Sequence, residues 1–161
     1  MALEEHAPDP GPSDARRPTV LLVDDDRESL SALRRALRSD SFNLLSTDDP
    51  FQALDWVKSA PIDLVITDEF MPVMLGTELL EAVRRTSPDT ATVLLTAYPK
   101  PAVMFRGFQQ RVDLMLAKPW EAAALRQSAL RLLREHPPRG GLRESPTPLS
   151  SSNDLGGQRH D

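Results

Sequence analysis

The chain has 161 residues, no cysteine, a net charge of −5 and a sequence pI of about 5.2. This length favours one domain over two, the lack of cysteine excludes disulfides and thiolate metal sites, and the acidic charge argues against direct binding to nucleic acid. No stretch reaches the roughly 18 apolar residues of a membrane span, and residues 1–18 lack the apolar run of a signal peptide, so we expect a cytoplasmic location without membrane contact.

Composition divides the chain into an ordered centre and two tails. Residues 1–18 are rich in proline and acidic residues, and residues 137–161 are rich in proline, serine and glycine. Such segments bury too little apolar surface to offset the entropy of the chain. We therefore predict disordered tails on either side of one domain at 19–136.

Strand-like and helix-like patterns alternate between these tails. The first apolar run, Thr19–Val23, is typical of a strand that is buried on both faces. Asp26 and Asp49 stand where they would cap the first and second helices. Strands are predicted at 19–23, 42–46, 62–67, 91–95 and 114–116, and helices at 27–38, from 50 onward, and at 77–85, 102–109 and 121–135.

This alternation predicts an α/β fold with a parallel sheet and helices on both of its faces. In such folds the functional groups collect at the carboxyl ends of the strands. Residues with reactive or charged side chains follow four of the predicted strands at those ends: Asp24, Asp25 and Asp26, then Asp68, then Thr96, and finally Lys118.

Each of these side chains can serve in phosphoryl transfer. Crowded carboxylates repel one another unless a positive charge lies among them, and oxygen ligands suit Mg²⁺. Asp24 and Asp25 could hold that ion, and Asp68 could share it and attack phosphorus as a nucleophile. Lys118 would neutralise the phosphoryl oxygens, and Thr96 could donate a hydrogen bond to one of them.

Each residue taken alone also has an ordinary structural interpretation. The acidic run after the first strand could simply cap a helix, and Asp68 could be a loop carboxylate. Thr96 is a common β-branched strand residue, and Lys118 could be a solvated lysine in a turn. The functional interpretation therefore depends on the combination of four residue types at one predicted edge of the sheet.

Over about residues 19–135 the sequence resembles the receiver domain of bacterial two-component response regulators. The resemblance is carried by VLLVDDD at 20–26, DLVITD at 63–68 followed by Met71-Pro72 and Gly76, VLLTA at 93–97, and AKP at 117–119.

This resemblance implies a flavodoxin-like, doubly wound five-stranded sheet in the order 2-1-3-4-5. It also implies that Asp68 is phosphorylated, that Asp24 and Asp25 bind Mg²⁺, and that Thr96 and Lys118 assist. The backbone carbonyl of Phe70 would be a further metal ligand. The phosphoryl donor would be a phosphohistidine on a sensor histidine kinase or a histidine phosphotransfer protein.

Two features depart from the pattern of that family. Met115 stands three residues before the lysine, where the family usually has an aromatic residue that couples to the switch threonine. Phe70 and Tyr98 lie two residues beyond Asp68 and Thr96, and we expect these bulky side chains to restrict attacking water and slow dephosphorylation.

The implied function is that of a stand-alone response regulator without turnover, which acts on an unknown downstream protein. The predicted docking surface is formed by the fourth helix, fifth strand and fifth helix, and it includes Met104, Phe105, Phe108 and Met115. Two alternatives stay open. One is a receiver-fold binding module that works without phosphorylation. The other is a phosphatase similar to the haloacid dehalogenases, although Glu28 and the Met71-Pro72 segment do not fit that pattern.

Overall fold

A computed structural model describes residues 16–97 and 100–137. Within these residues, five parallel strands alternate with five helices, which confirms the predicted fold class. The strands are β1 (Thr19–Val23), β2 (Asn43–Thr47), β3 (Leu64–Asp68), β4 (Ala91–Thr96) and β5 (Leu114–Ala117), and the helices are α1 (Arg27–Leu37), α2 (Pro50–Ser59), α3 (Gly76–Thr86), α4 (Pro101–Gln109) and α5 (Ala122–Glu135). The predicted disorder of 1–15 and 138–161, and the role predicted for Tyr98, concern positions outside the described residues.

The sheet has the order β2-β1-β3-β4-β5, as the resemblance implies. Because every neighbouring pair is parallel, all five carboxyl ends lie at one edge. Val23 lies opposite Thr67 in the register of β1 and β3, so the next residues, Asp24 and Asp68, emerge side by side. The chain runs from β1 to β2 on one side of β1, and β3 then lies on the other side. This change of direction opens a crevice at the carboxyl edge.

Helices cover the sheet on both faces. Leu21 and Leu22 are neighbours in β1, and both are fully buried because successive strand side chains point to opposite faces. Leu22 packs in the core beneath α1 and α5, and Leu21 packs in the core beneath α2, α3 and Val103 of α4. In the described part of the chain, no helix combines the length and apolar character that crossing a membrane requires.

Two aspartates start the helices that follow β1 and β2, as predicted. The carboxylate of Asp26 accepts a hydrogen bond from the backbone N–H of Glu28 at 2.9 Å, and that of Asp49 accepts one from Phe51 at 2.9 Å. Each carboxylate satisfies a backbone donor that the helix itself leaves unpaired. Asp26 is therefore used as a helix cap, which leaves Asp24 and Asp25 for the crevice.

An ion pair closes the opposite edge of the sheet. Asp63 is 7% exposed, and Arg16 donates to both of its carboxylate oxygens at 2.7 and 2.8 Å. The backbone N–H of Thr19 donates to the same carboxylate at 2.7 Å. This pairing explains how an aspartate can interrupt a buried apolar run. Residues 16–18, which the sequence assigned to the N-terminal tail, thus include a contact to the domain.

Candidate functional site

The carboxyl edge of the sheet brings together the side chains that the sequence singled out. Asp24 follows β1 and is 1% exposed, whereas the adjacent Asp25 is exposed. Asp68 ends β3 and is partly exposed, and Thr96 ends β4 and is buried. Lys118 follows β5 and is 23% exposed. The site thus has a buried floor, and Asp25 and Asp68 lie at its solvent side.

The three carboxylates form one compact cluster. Each of Asp24, Asp25 and Asp68 offers an oxygen, and these oxygens all lie within 4.8 Å of one another. The ammonium of Lys118 lies 3.3 Å from Asp24 Oδ2 and 3.0 Å from Asp68 Oδ1. Lys118 thus pairs with two of the three carboxylates, and its one positive charge leaves the cluster with excess negative charge and a local need for a further cation.

Burial and charge shift the pKa values in this cluster. Burial raises the pKa of Asp24, and the hydrogen bond from the Asp26 N–H and the charge of Lys118 offset only part of that effect. Burial would by itself lower the pKa of Lys118, but Asp68 and Asp24 together outweigh it, so the pKa of the ammonium lies above its usual value. Lys118 is thus protonated at neutral pH and can serve as a fixed positive charge.

The donor set fits a hard divalent cation. Carboxylate oxygens are the ligands that Mg²⁺ takes in proteins, usually one or two together with phosphate oxygens and waters. Asp24, Asp25 and Asp68 supply such oxygens from two neighbouring strand ends. The backbone carbonyl of Phe70 stays a predicted ligand, and the Phe70 side chain is 47% exposed beside the site.

Thr96 and Lys118 are linked through the backbone. The N–H of Lys118 donates to the carbonyl of Thr96 at 2.8 Å, so the ends of β4 and β5 are held together beside Asp68. Thr96 itself is 2% exposed. Any displacement of Thr96 toward Asp68 would therefore act directly on the segment that carries Lys118.

Met115 contacts the helix that follows the site. It pairs with Leu94 in the register of β4 and β5, and its side chain packs against the backbone of Gly107 in α4. A Cβ atom added at Gly107 would lie only 2.4 Å from the Met115 sulfur. Receiver domains usually have an aromatic ring at this position, whereas this chain has the flexible thioether of Met115 under α4.

A cleft of about 470 Å³ opens next to the carboxylates. Its polar side is formed by Asp24, Ser29 and Lys118, and its apolar side includes Leu33 and Trp120. The cleft lies between α1 and the segment after β5, so a group bound there would reach Lys118 without crossing the core.

Two features of the site were not predicted from the sequence. Glu69, directly after Asp68, is fully buried, although carboxylates rarely are unless they are paired. Gly76 packs against the backbone of Asp68, and a Cβ at Gly76 would lie 2.1 Å from the Asp68 carbonyl oxygen. The sequence contains a signal for Gly76 in its spacing after Met71-Pro72, but no local signal for the burial of Glu69.

Comparisons with known proteins agree with this geometry. Residues 20–130 match the family model of the response regulator receiver domain. The response regulator MprA of Mycolicibacterium vanbaalenii is 32% identical over 126 residues, which cover 78% of this chain and 54% of that protein. The transcriptional regulatory protein CpxR of Escherichia coli (strain K12) is 38% identical over 101 residues, which cover 63% of this chain and 43% of that protein.

A solved structure shows the same arrangement of strands and helices. The signal receiver domain of an HD domain-containing protein from Pseudomonas fluorescens Pf-5 has a TM-score of 0.72 and 30% identity, and the match covers 75% of this chain and 90% of that chain. By contrast, the chain spans about half the length of the curated relatives that it matches.

Proposed function

This chain belongs to the response regulator receiver domain family, and we propose that Asp68 accepts a phosphoryl group from a phosphohistidine of a sensor histidine kinase or a histidine phosphotransfer protein. The observation that carries this proposal is the cluster of Asp24, Asp25 and Asp68 within 4.8 Å, with the Lys118 ammonium 3.0 Å from Asp68. It combines a nucleophile, oxygen ligands and a cation in one crevice.

The transfer forms one bond and breaks one. A carboxylate oxygen of Asp68 bonds to phosphorus, while the phosphorus–nitrogen bond of the donor breaks and its electron pair stays on the imidazole nitrogen. Asp68 is partly exposed, so a donor side chain can approach it from solvent. Lys118 stays protonated throughout and offsets negative charge on the phosphoryl oxygens.

Asp24 and Asp25 would hold Mg²⁺ together with Asp68, and the bound ion would add positive charge at the phosphoryl oxygens. Thr96 would then hydrogen-bond to a phosphoryl oxygen. Because the Thr96 carbonyl accepts the Lys118 N–H at 2.8 Å, its movement would change the segment after β5. The protein would therefore signal by a change of conformation, with at most slow self-dephosphorylation and no turnover.

The decisive experiment is exposure of the full chain to acetyl phosphate and Mg²⁺, followed by intact mass spectrometry. We expect a single phosphoryl adduct that is absent in Asp68→Ala and retained in Asp48→Ala, a change of an exposed aspartate after β2. An adduct that persists in Asp68→Ala would contradict the assignment of the acceptor. A protein that never acquires an adduct would favour the alternative of a binding module that works without phosphorylation.

The lifetime of the adduct tests the role of Phe70. Its side chain is 47% exposed beside Asp68, so it can shield the acyl phosphate from water. We expect Phe70→Asn to shorten the lifetime several-fold, while Phe51→Asn, which changes a comparably exposed phenylalanine on α2, leaves it unaltered. Equal lifetimes in Phe70→Asn and the unmodified protein would remove this role.

The output of the switch is proposed to be a separate protein. Met104, Phe105 and Phe108 of α4 are 47%, 62% and 81% exposed, which is compatible with a docking surface on the α4, β5 and α5 side. Capture of partners by the phosphorylated protein but not by Asp68→Ala would support a stand-alone regulator. Phosphatase turnover on small phosphoesters is expected to be negligible, and measurable turnover would instead favour the phosphatase alternative.

A further inference from the structure

Glu69, the residue after Asp68, is a buried carboxylate that lies near a guanidinium of α4. Glu69 is 0% exposed, and the hydroxyl of Thr77 donates to its Oε1 at 2.9 Å. Among the described residues, the cation within ion-pair distance of Glu69 is Arg106 of α4, whose Nη2 lies 3.8 Å from the same oxygen. Because a buried carboxylate needs a compensating charge, Arg106 couples α4 to the phosphoacceptor loop.

This ion pair is incompletely made. Among the described residues, neither Glu69 Oε2 nor Arg106 Nε has a hydrogen-bond partner, although both atoms are buried. A guanidinium can bind a carboxylate through two parallel hydrogen bonds of roughly 2.7 to 2.9 Å. The observed 3.8 Å is thus about 1 Å too long for that geometry. A small approach of Arg106 would satisfy both unpaired atoms at once.

The two ends of the pair differ in how firmly they are held. The Glu69 N–H donates to the Leu95 carbonyl at 3.0 Å, and the Glu69 carbonyl accepts from the Gly76 N–H at 2.8 Å, so Glu69 is anchored to β4 and to the start of α3. By contrast, Arg106 sits on a short helix whose next residue, Gly107, meets the flexible Met115 thioether. The helix is therefore the more movable partner.

From this geometry we infer that the Glu69–Arg106 ion pair transmits the phosphorylation state of Asp68 to α4, in place of the aromatic residue that Met115 replaces. The inference rests on the proposed phosphorylation of Asp68. Phosphorylation replaces the single negative charge of the Asp68 carboxylate, next to Glu69, by the roughly 1.5 to 2 negative charges of an acyl phosphate, and this gain strengthens the attraction on the Arg106 guanidinium. Arg106 then closes onto both oxygens of Glu69, and α4 becomes more firmly held.

The test compares amide hydrogen exchange in residues 101–109 of the full chain with Mg²⁺ alone and with Mg²⁺ plus acetyl phosphate. Intact mass spectrometry on the same samples measures how much protein carries the phosphoryl group. The variants are Glu69→Gln and Arg106→Gln, and Arg85→Gln on the exposed side of α3 is the control for loss of a positive charge. Glu69→Gln keeps an acceptor for Thr77 and leaves no buried charge behind.

We expect the unmodified protein and all three variants to be phosphorylated. On phosphorylation, amide exchange in α4 should slow in the unmodified protein and in Arg85→Gln, but not in Glu69→Gln or Arg106→Gln. If Arg106→Gln fails to fold because Glu69 is left unpaired, Glu69→Gln alone decides. Slowing of α4 that persists in Glu69→Gln, or is missing in the phosphorylated unmodified protein, overturns the inference. So does a Glu69→Gln variant that folds but cannot be phosphorylated. Failure of the unmodified protein to acquire a phosphoryl group is a different result, because it refutes the proposed function itself.

Discussion

Replacing Asp24 by asparagine should stabilise the fold in the absence of divalent cations. Asp24 is 1% exposed and shares a compact cluster with Asp25 and Asp68, so its charge is held where water cannot solvate it. Asparagine has nearly the same shape and keeps an oxygen that can accept the 2.9 Å hydrogen bond from the Asp26 N–H. The substitution therefore removes a charge with little change in packing.

The expected magnitude follows from the distances. At an effective dielectric constant of about 20, Asp25 and Asp68 each repel Asp24 by at least about 3.5 kcal/mol, or about 7 kcal/mol together, and Lys118 at 3.3 Å attracts it by about 5 kcal/mol. The remaining repulsion adds to the cost of burying a carboxylate. We expect Asp24→Asn to raise the free energy of unfolding by about 1 to 2 kcal/mol, or the Tm by roughly 3 to 8 °C.

The pH dependence of this gain has a defined sign. Burial raises the pKa of Asp24 in the folded protein above its usual value of 3.8. The charged carboxylate therefore destabilises the fold at every pH above the folded pKa, and this cost disappears as the pH falls below the pKa of the unfolded chain. The advantage of Asp24→Asn should be complete above the folded pKa of Asp24 and should vanish below the pKa of the unfolded chain.

Urea unfolding at pH 7.5 in EDTA measures the difference, and Asp55→Asn, an exposed aspartate on α2, is the matched control with an expected change below about 0.5 kcal/mol. Repeating the series with Mg²⁺ should stabilise the unmodified protein more than Asp24→Asn, since a ligand at a given concentration stabilises the folded state more when it binds more tightly. If Asp24→Asn is equally or less stable than the unmodified protein in EDTA, the electrostatic reasoning is refuted.

Further stability predictions concern the contacts of Arg16, Gly76 and Gly107. Arg16→Gln should lower the free energy of unfolding by about 2 kcal/mol, because it leaves a buried carboxylate without its cation, whereas Arg17→Gln at the exposed neighbouring position should change it by less than about 0.5 kcal/mol in the same urea titration. Gly76→Ala should lower the free energy of unfolding by about 3 kcal/mol, because its Cβ would lie 2.1 Å from the backbone oxygen of Asp68. The same clash should reduce phosphorylation by acetyl phosphate. Gly107→Ala should stay within about 1 kcal/mol of the unmodified protein, since its Cβ meets a flexible side chain and alanine favours the helix; equal losses for both glycines would contradict this reasoning.

The sequence by itself determined the alternation of strands and helices, and with it the edge at which the reactive residues meet. The reason is local, since a fully apolar run such as Thr19–Val23 indicates a strand covered on both faces, and short crossovers force such strands to be parallel. Asp26 and Asp49 likewise carry their capping role in their position before a helix. Because parallel strands end at the same edge of the sheet, Asp24 after β1 and Asp68 at the end of β3 lie at one edge.

Only the tertiary structure decided which charges are paired. Asp63 lies at the start of an apolar run and Glu69 follows Asp68 at its end, and neither position reveals a partner, yet the fold places Asp63 against Arg16 and Glu69 near Arg106. These partners are far apart along the chain and carry no periodic signal, so their pairing depends on where whole helices and segments pack. Local patterns determined the backbone at the site, whereas packing determined its electrostatics, because the charge of a buried group is stabilised only by what the fold places beside it.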